Sequence, residues 1–147
     1  MKMRGSAGCD FNVDICKRTL GVDEGGRVQQ YVMNEIINQS EPYVPFSKGV
    51  LKSSVRIDGS DVIWGGAGIR YARYQWNGIV YEDPELHCAG FKTKDGWRSR
   101  KNVQKVPTER KLTYQNGSLR GDHWAEKMLR NGGRKKIEDG IRKMVGK

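Results

Sequence analysis

Residues 51–64 read Leu51-Lys52-Ser53-Ser54-Val55-Arg56-Ile57-Asp58-Gly59-Ser60-Asp61-Val62-Ile63-Trp64, and this stretch decides the fold class. Leu51, Ser53, Val55 and Ile57 alternate strictly with Lys52, Ser54, Arg56 and Asp58, the period of a strand with one wet face. Asp58-Gly59 supplies a tight turn that returns the chain into Val62-Ile63-Trp64. The pattern predicts an antiparallel hairpin with strands at about Lys52–Asp58 and Asp61–Trp64, and its apolar face requires a cover. Upstream, Val28, Tyr31, Val32 and Ile36 recur at helical spacing, with Met33 and Ile37 widening the face. They predict a helix over about Asp23–Ser40, ended by Pro42 and Pro45. Downstream, Trp124, Met128, Ile137, Ile141 and Val145 extend an amphipathic pattern that starts at Asp122-His123-Trp124 and is broken at Gly132-Gly133. The reading is α+β: a small antiparallel sheet packed by a helix from the N-terminal half and a C-terminal helix.

Outside that frame, residues 1–10 lack an apolar face and are expected to form a flexible tail on a single domain spanning 11–147. Phe11, Val13 and Ile15 alternate with Asn12 and Asp14, which reads as a strand. Ile69–Gly78 reads as a short helix ended at Gly78, and residues 79–84 as a strand ended at Pro84. From there to Lys111 the only prominent apolar residues are Phe91, Trp97 and Val103, so the stretch is expected to be a projecting hairpin or functional loop. It holds eight bases (Lys92, Lys94, Arg98, Arg100, Lys101, Lys105, Arg110, Lys111) against Glu85, Asp95 and Glu109, half of the formal net charge of +10.

The chain has 147 residues, enough for one hydrophobic core. Its apolar runs stop at three residues, as in Tyr31-Val32-Met33, against about 20 for a membrane span and about 7 for a secretory leader. Neither is expected. The positive charge favours polyanions or acidic protein surfaces as partners. Cys9, Cys16 and Cys88 are odd in number and scattered, which fits a reducing cytosol better than a disulfide scaffold.

Candidate enzyme groups are few. Cys9, Cys16, His87-Cys88 and His123 match no zinc-ligand spacing, and no nucleophile signature surrounds Cys88. Gly65-Gly66-Ala67-Gly68 lacks the Gly-Lys-Ser/Thr ending of a phosphate loop and reads as a turn. No cofactor, metal or catalytic residue is expected. The basic segment Lys92–Lys111, interleaved with Phe91 and Trp97, has the chemistry to grip a nucleic-acid backbone while stacking on a base, against the plainer reading of a solvated loop. Residues 127–147 add a second basic run, including Arg134-Lys135-Lys136 and Arg142-Lys143, which suits the wet face of a helix.

Three segments together carry a family resemblance: Tyr43-Val44-Pro45-Phe46-Ser47-Lys48-Gly49-Val50-Leu51-Lys52-Ser53-Ser54, then Tyr71-Ala72-Arg73-Tyr74-Gln75-Trp76-Asn77-Gly78, then Val106-Pro107-Thr108-Glu109-Arg110-Lys111-Leu112-Thr113-Tyr114 leading to Trp124. In order and spacing, over about residues 25–130, they resemble the minor capsid proteins of tailed bacteriophages, the head-to-tail joining or tail-completion proteins of the virion neck. The family commonly has Asp-Thr where this chain has Ser47-Lys48, and proline where it has Arg70. The resemblance implies a non-enzymatic structural subunit, made in the host bacterial cytoplasm and resident in the virion neck. It implies a ring of copies of itself (a hexamer by the family pattern, a dodecamer as the alternative) with a head connector or stopper on one side and a tail terminator or tail tube on the other. Axial double-stranded DNA runs through such a ring, and no membrane is involved. The implied subunit or neck interface is Tyr43, Pro45, Phe46, Gly49, Leu51, Tyr71, Tyr74, Trp76 and Trp124. Lys92, Lys94, Arg98, Arg100 and Lys101 are the implied contacts to the DNA channel or a neighbour. A stand-alone basic nucleic-acid-binding protein is the rival reading; a small hydrolase or nuclease would need converging acids or histidines.

Overall fold

The computed structural model describes residues 3–4, 10–11 and 13–146. The expected α+β class is what the chain adopts, with helices packed around small antiparallel ribbons. In chain order the elements are β1 (Met3–Arg4), β2 (Asp10–Phe11), α1 (Val13–Leu20), α2 (Arg27–Ser40), α3 (Val50–Ser53), β3 (Arg56–Asp58), β4 (Asp61–Ile63), α4 (Ala72–Asn77), β5 (Ile79–Glu82), β6 (Phe91–Thr93), β7 (Gly96–Arg98), β8 (Val106–Lys111), α5 (Trp124–Met128) and α6 (Arg134–Val145). Among the described residues the strands pair as four two-stranded antiparallel ribbons, β1 with β2, β3 with β4, β5 with β8 and β6 with β7. Among the described residues no helix is long and apolar enough to cross a membrane. Most of the tail expected over 1–10 lies outside the described residues.

Three expected boundaries move, each for a local reason. The strand expected from Phe11 to Ile15 is the helix α1 from Val13 onward. Three alternating residues fit both periods, but Cys16, Thr19 and Leu20 also share one arc at 100° per residue, opposite Lys17 and Arg18. The helix ends in a Schellman motif at Gly21 (φ +71°): Gly21 N–H donates to Arg18 O (3.0 Å) and Val22 N–H to Lys17 O (3.1 Å). The second helix begins at Arg27 rather than Asp23, because Gly25 has a positive φ and Gly26 is extended. Gly21 O then accepts from Val28 N–H (2.8 Å), so the end of α1 caps the start of α2.

The strand expected from Lys52 shortens to Arg56–Asp58. Gly49 (φ +80°) turns the chain into the single turn α3, and the Ser53 and Ser54 hydroxyls back-bond to Gly49 O (3.0 Å) and Leu51 O (2.6 Å). The hairpin itself forms, with Ile57 paired to Val62 and Asp58 to Asp61. Its cover is one-sided: β3 is exposed, with Ile57 at 41%, while Val62 and Ile63 are half-buried against α2.

Trp124 is the centre of the core. It is 2% exposed and meets Trp76 edge-on (4.7 Å between ring centres, 89°) and Trp64 (5.9 Å, 80°), with Val44, Leu51 and Ala72 packed around it. Val28, Met33, Met128 and Ile137 continue the buried layer where α2 meets α5 and α6. The glycine pair does interrupt the last helix: Asn131 and Gly132 leave helical geometry (φ −86° and +97°) between α5 and α6. Gly78 (φ +71°) ends α4 in the same left-handed manner, and its N–H donates to Tyr74 O (3.1 Å).

Candidate functional site

After α2 the chain turns at Pro42, where Ser40 O accepts from the N–H groups of Tyr43 (2.9 Å) and Val44 (3.1 Å). Val44 is thereby driven into the core at 1% exposure, and Pro45–Gly49 loop outward. A distant segment pins this loop. Gly121 N–H donates to Tyr43 O (3.1 Å), Asn116 Nδ2 donates to Phe46 O (3.0 Å), and the Arg120 guanidinium donates to Val44 O and lies 5.2 Å over the Phe46 ring. Lys52 pairs with Glu41 at the loop's root and, by hydrogen bond and charge, holds that carboxyl below its ordinary pKa.

The loop forms one wall of a cleft of about 480 Å³. Pro45, Phe46 and Gly49 line it from the first of the three resemblance segments, Tyr71 and Gln75 from the second, and Thr113 and Tyr114 from the third. Tyr114 Oη donates to Gln75 O (2.7 Å), and burial, with the Asp122 charge adding to it, pushes the phenol up to about 12. Phe46 and Tyr71 are 36% and 43% exposed, so the cleft presents aromatic surface at its mouth. Segments separated by about 70 residues thus meet in one concavity. Comparison with family models, with characterised proteins and with solved structures finds no match.

The other residues of the expected interface are distributed differently. Leu51 is a core residue whose side chain also lines the cleft, Trp124 is a core residue, Tyr43 offers its carbonyl to Gly121, and Trp76 packs between Trp124 and His123. Tyr74 stacks on Tyr81 (4.7 Å) under Arg73, outside the cleft.

The long basic stretch resolves into the β6–β7 ribbon and the strand β8, which returns to pair with β5. In the ribbon, Lys92 stands directly across from Trp97 and Phe91 across from Arg98, so each face carries one aromatic and one base. Trp97 is 68% exposed, and its ring lies back over Gly90, where a Cβ would come within 2.5 Å of Nε1. Lys92, Lys94, Arg98 and Lys101 are exposed and make no ion pair among the described residues.

Arg100 has a different position from these four. Its guanidinium grips buried Asp83 through Nε to Oδ2 (2.6 Å) and Nη2 to Oδ1 (2.6 Å), and reaches Glu85 through Nη1 (2.7 Å). Asp83 Oδ1 also accepts from the N–H groups of Glu85 (2.9 Å) and Leu86 (3.1 Å). The guanidinium hydrogen bonds, supported by these backbone donors, hold the Asp83 carboxyl well below the usual carboxylate range. Asp83 and Arg120 escape sequence reading, and Tyr114, though it ends the third resemblance segment, is not among the expected interface residues; for Asp83 the one local signal is an Asp-Pro pair at the root of a basic loop. No cluster of three or more His, Cys, Asp or Glu side chains suited to a metal ion occurs among the described residues.

Proposed function

We propose that the chain is a non-enzymatic structural subunit of a tailed-phage neck, closing with copies of itself into a ring between the head connector and the tail. The convergence of the three resemblance segments on one cleft carries this reading. Residues shared for folding alone would be expected to scatter through the core, whereas Pro45, Phe46, Tyr71 and Tyr114 rim a single surface that a neighbouring subunit or neck protein fits. Aromatic residues around a concavity are the usual anchors of protein interfaces. In such a ring the β6–β7 ribbons supply bases to the axial channel or to the next subunit.

Particles assembled without the chain test the reading. DNA-filled heads and free tails should accumulate unjoined, and added purified chain should restore joining. Joined, infectious particles that lack the chain refute it.

A second reading, a stand-alone nucleic-acid-binding protein, is favoured by the cross-strand Lys92 and Trp97 pair, since a two-stranded ribbon fits the major groove and an exposed indole stacks on unpaired bases. It requires tight, salt-sensitive binding by the free chain. The neck reading requires only the weak non-specific binding of a few phosphate contacts, about 10⁻⁴ to 10⁻⁶ M at physiological salt.

A further inference from the structure

Trp64 and Trp76 pack against the core and Trp124 lies within it, whereas Trp97 projects from β7 into solvent. An indole left largely in water forgoes the gain that burial of its apolar area brings, so its position calls for a reason outside the core. Its neighbours supply the chemistry. Lys92 stands directly across the ribbon on the same face, and Gly90, two residues before Lys92, lies diagonally across from Trp97. A Cβ at residue 90 would meet Trp97 Nε1 at 2.5 Å and Cε2 at 2.8 Å. Glycine therefore clears a bed on which one edge of the ring rests, while most of the ring stays open to solvent.

This platform is fixed at both ends. At the root, Asp83 clamps Arg100, Lys105 Nζ donates to Ala89 O, Asp83 N–H donates to Cys88 O (2.9 Å), and His87 N–H donates to Asp83 O (2.9 Å). At the tip, Thr93 Oγ1 donates to Gly96 O (2.9 Å). A ring positioned before its ligand arrives loses little freedom on binding. Around it Lys92, Lys94, Arg98 and Lys101 are exposed and make no ion pair among the described residues, and the turn between the strands carries one acid, Asp95.

We propose that the Trp97 face of the ribbon binds single-stranded nucleic acid in preference to duplex, with one unpaired base stacked on the indole and the flanking phosphates on Lys92 and the bases near it. Within a duplex the base faces are already stacked on one another, so the indole finds no partner and only the phosphates remain. A single strand offers an open base face of any sequence. The inference goes beyond the ring, because it names the ligand class of the ribbon however the copies associate. Charge alone favours duplex: four phosphate contacts give salt slopes of about −3.6 for duplex and about −2.8 for a single strand. Stacking carries no such salt dependence, so the preference for the single strand should grow about threefold between about 50 and 200 mM salt.

The purified full chain is titrated with an oligothymidylate of about 12 nucleotides and with a GC-rich duplex of about 12 base pairs, within the range of single-strand site sizes. At about 200 mM salt the oligothymidylate should bind about tenfold more tightly than the duplex and quench tryptophan emission. Trp97→Ala should abolish the quenching and weaken oligothymidylate binding about tenfold, leaving duplex binding within about twofold. Gly90→Ala keeps the indole but drives it off its bed, and should weaken the oligothymidylate selectively as well. Lys92→Ala should flatten the single-strand salt slope by about 0.7. Unchanged urea midpoints keep folding out of these comparisons, and the unsubstituted chain already tests the preference, the quenching and the salt trend. Duplex bound as tightly as oligothymidylate, binding without quenching, equal losses for both ligands in Trp97→Ala, or no binding of either ligand would overturn the proposal. Particle joining is read separately, so this inference and the neck reading can each fail without the other.

Discussion

Gly140 sits inside α6, where helix propensity alone says that alanine should stabilise the protein by about 1 kcal/mol. The packing says the opposite. A Cβ at residue 140 would lie 1.8 Å from Tyr31 Oη, 2.4 Å from Cζ and 2.8 Å from Cε1, so the ring of α2's tyrosine, and not only its oxygen, has to move. Forcing an extra carbon into a close contact costs about 1–3 kcal/mol, which offsets or exceeds the propensity gain and predicts a net loss of up to roughly 2 kcal/mol for Gly140→Ala. In a Tyr31→Ala background the obstacle is gone, and the same substitution should stabilise by about 1 kcal/mol. Urea unfolding followed by tryptophan fluorescence reads both, because Trp64, Trp76 and Trp124 report the core and a change of 1 kcal/mol moves the midpoint by about 0.3–1 M. Stabilisation by Gly140→Ala in the native background, or an equal effect in both backgrounds, would refute the close approach of α6 to α2 at this point.

Three further outcomes follow from the site. Asp83 has its carboxyl pKa lowered from an ordinary 3.8, so its contribution to stability is present above pH 4 and is lost as pH falls below that; Arg100→Ala should flatten the acid limb of a stability–pH curve, leaving the slope due to Asp122 and Glu41, whose pKa values are also lowered. Replacing Lys92, Lys94, Arg98 and Lys101 by alanine should change stability by no more than about 0.5 kcal/mol and impair joining or DNA retention, whereas adding Arg100→Ala should also loosen the root of the ribbon, read as faster proteolysis after residue 83. Ser40 is fully buried and its hydroxyl has no hydrogen-bond partner among the described residues, so Ser40→Ala should stabilise the protein by on the order of 1 kcal/mol, read as a higher urea midpoint.

The class and the long elements were legible because burial writes itself as periodicity. Val28 to Ile37 and Trp124 to Val145 mark their helices, Asp58-Gly59 marks the turn, and Gly78 and Gly132 mark breaks where a left-handed residue is required. The stretch over 51–54 misled because Ser53 and Ser54 bond to their own backbone, a local competition that hydropathy does not record. The candidate site was legible only in part. Aromatic residues at 43–51 and 71–76 stand out by type, yet whether each rims the cleft or fills the core depends on Trp124, Arg120 and Tyr114, which arrive from far along the chain. Arg100 illustrates the same limit: among five bases of one segment, only the fold shows that its charge is already matched by Asp83.

That matched charge alters what one copy can do to DNA. With Arg100 held, the ribbon offers Lys92, Lys94, Arg98 and Lys101, and four phosphate contacts give a slope of roughly −4 in log affinity against log salt. Between about 50 and 200 mM salt that costs a lone copy more than a hundredfold in affinity, so it holds duplex only loosely under cellular conditions. Copies arranged around one axis act at the high effective concentration of a shared scaffold and need no new contact to become retentive. Under the proposed ring reading, the ribbon therefore gains its use from whatever closes the ring. In the proposed ring, the aromatic cleft leaves a separate anchored surface for the head or tail proteins that would hold the circle shut.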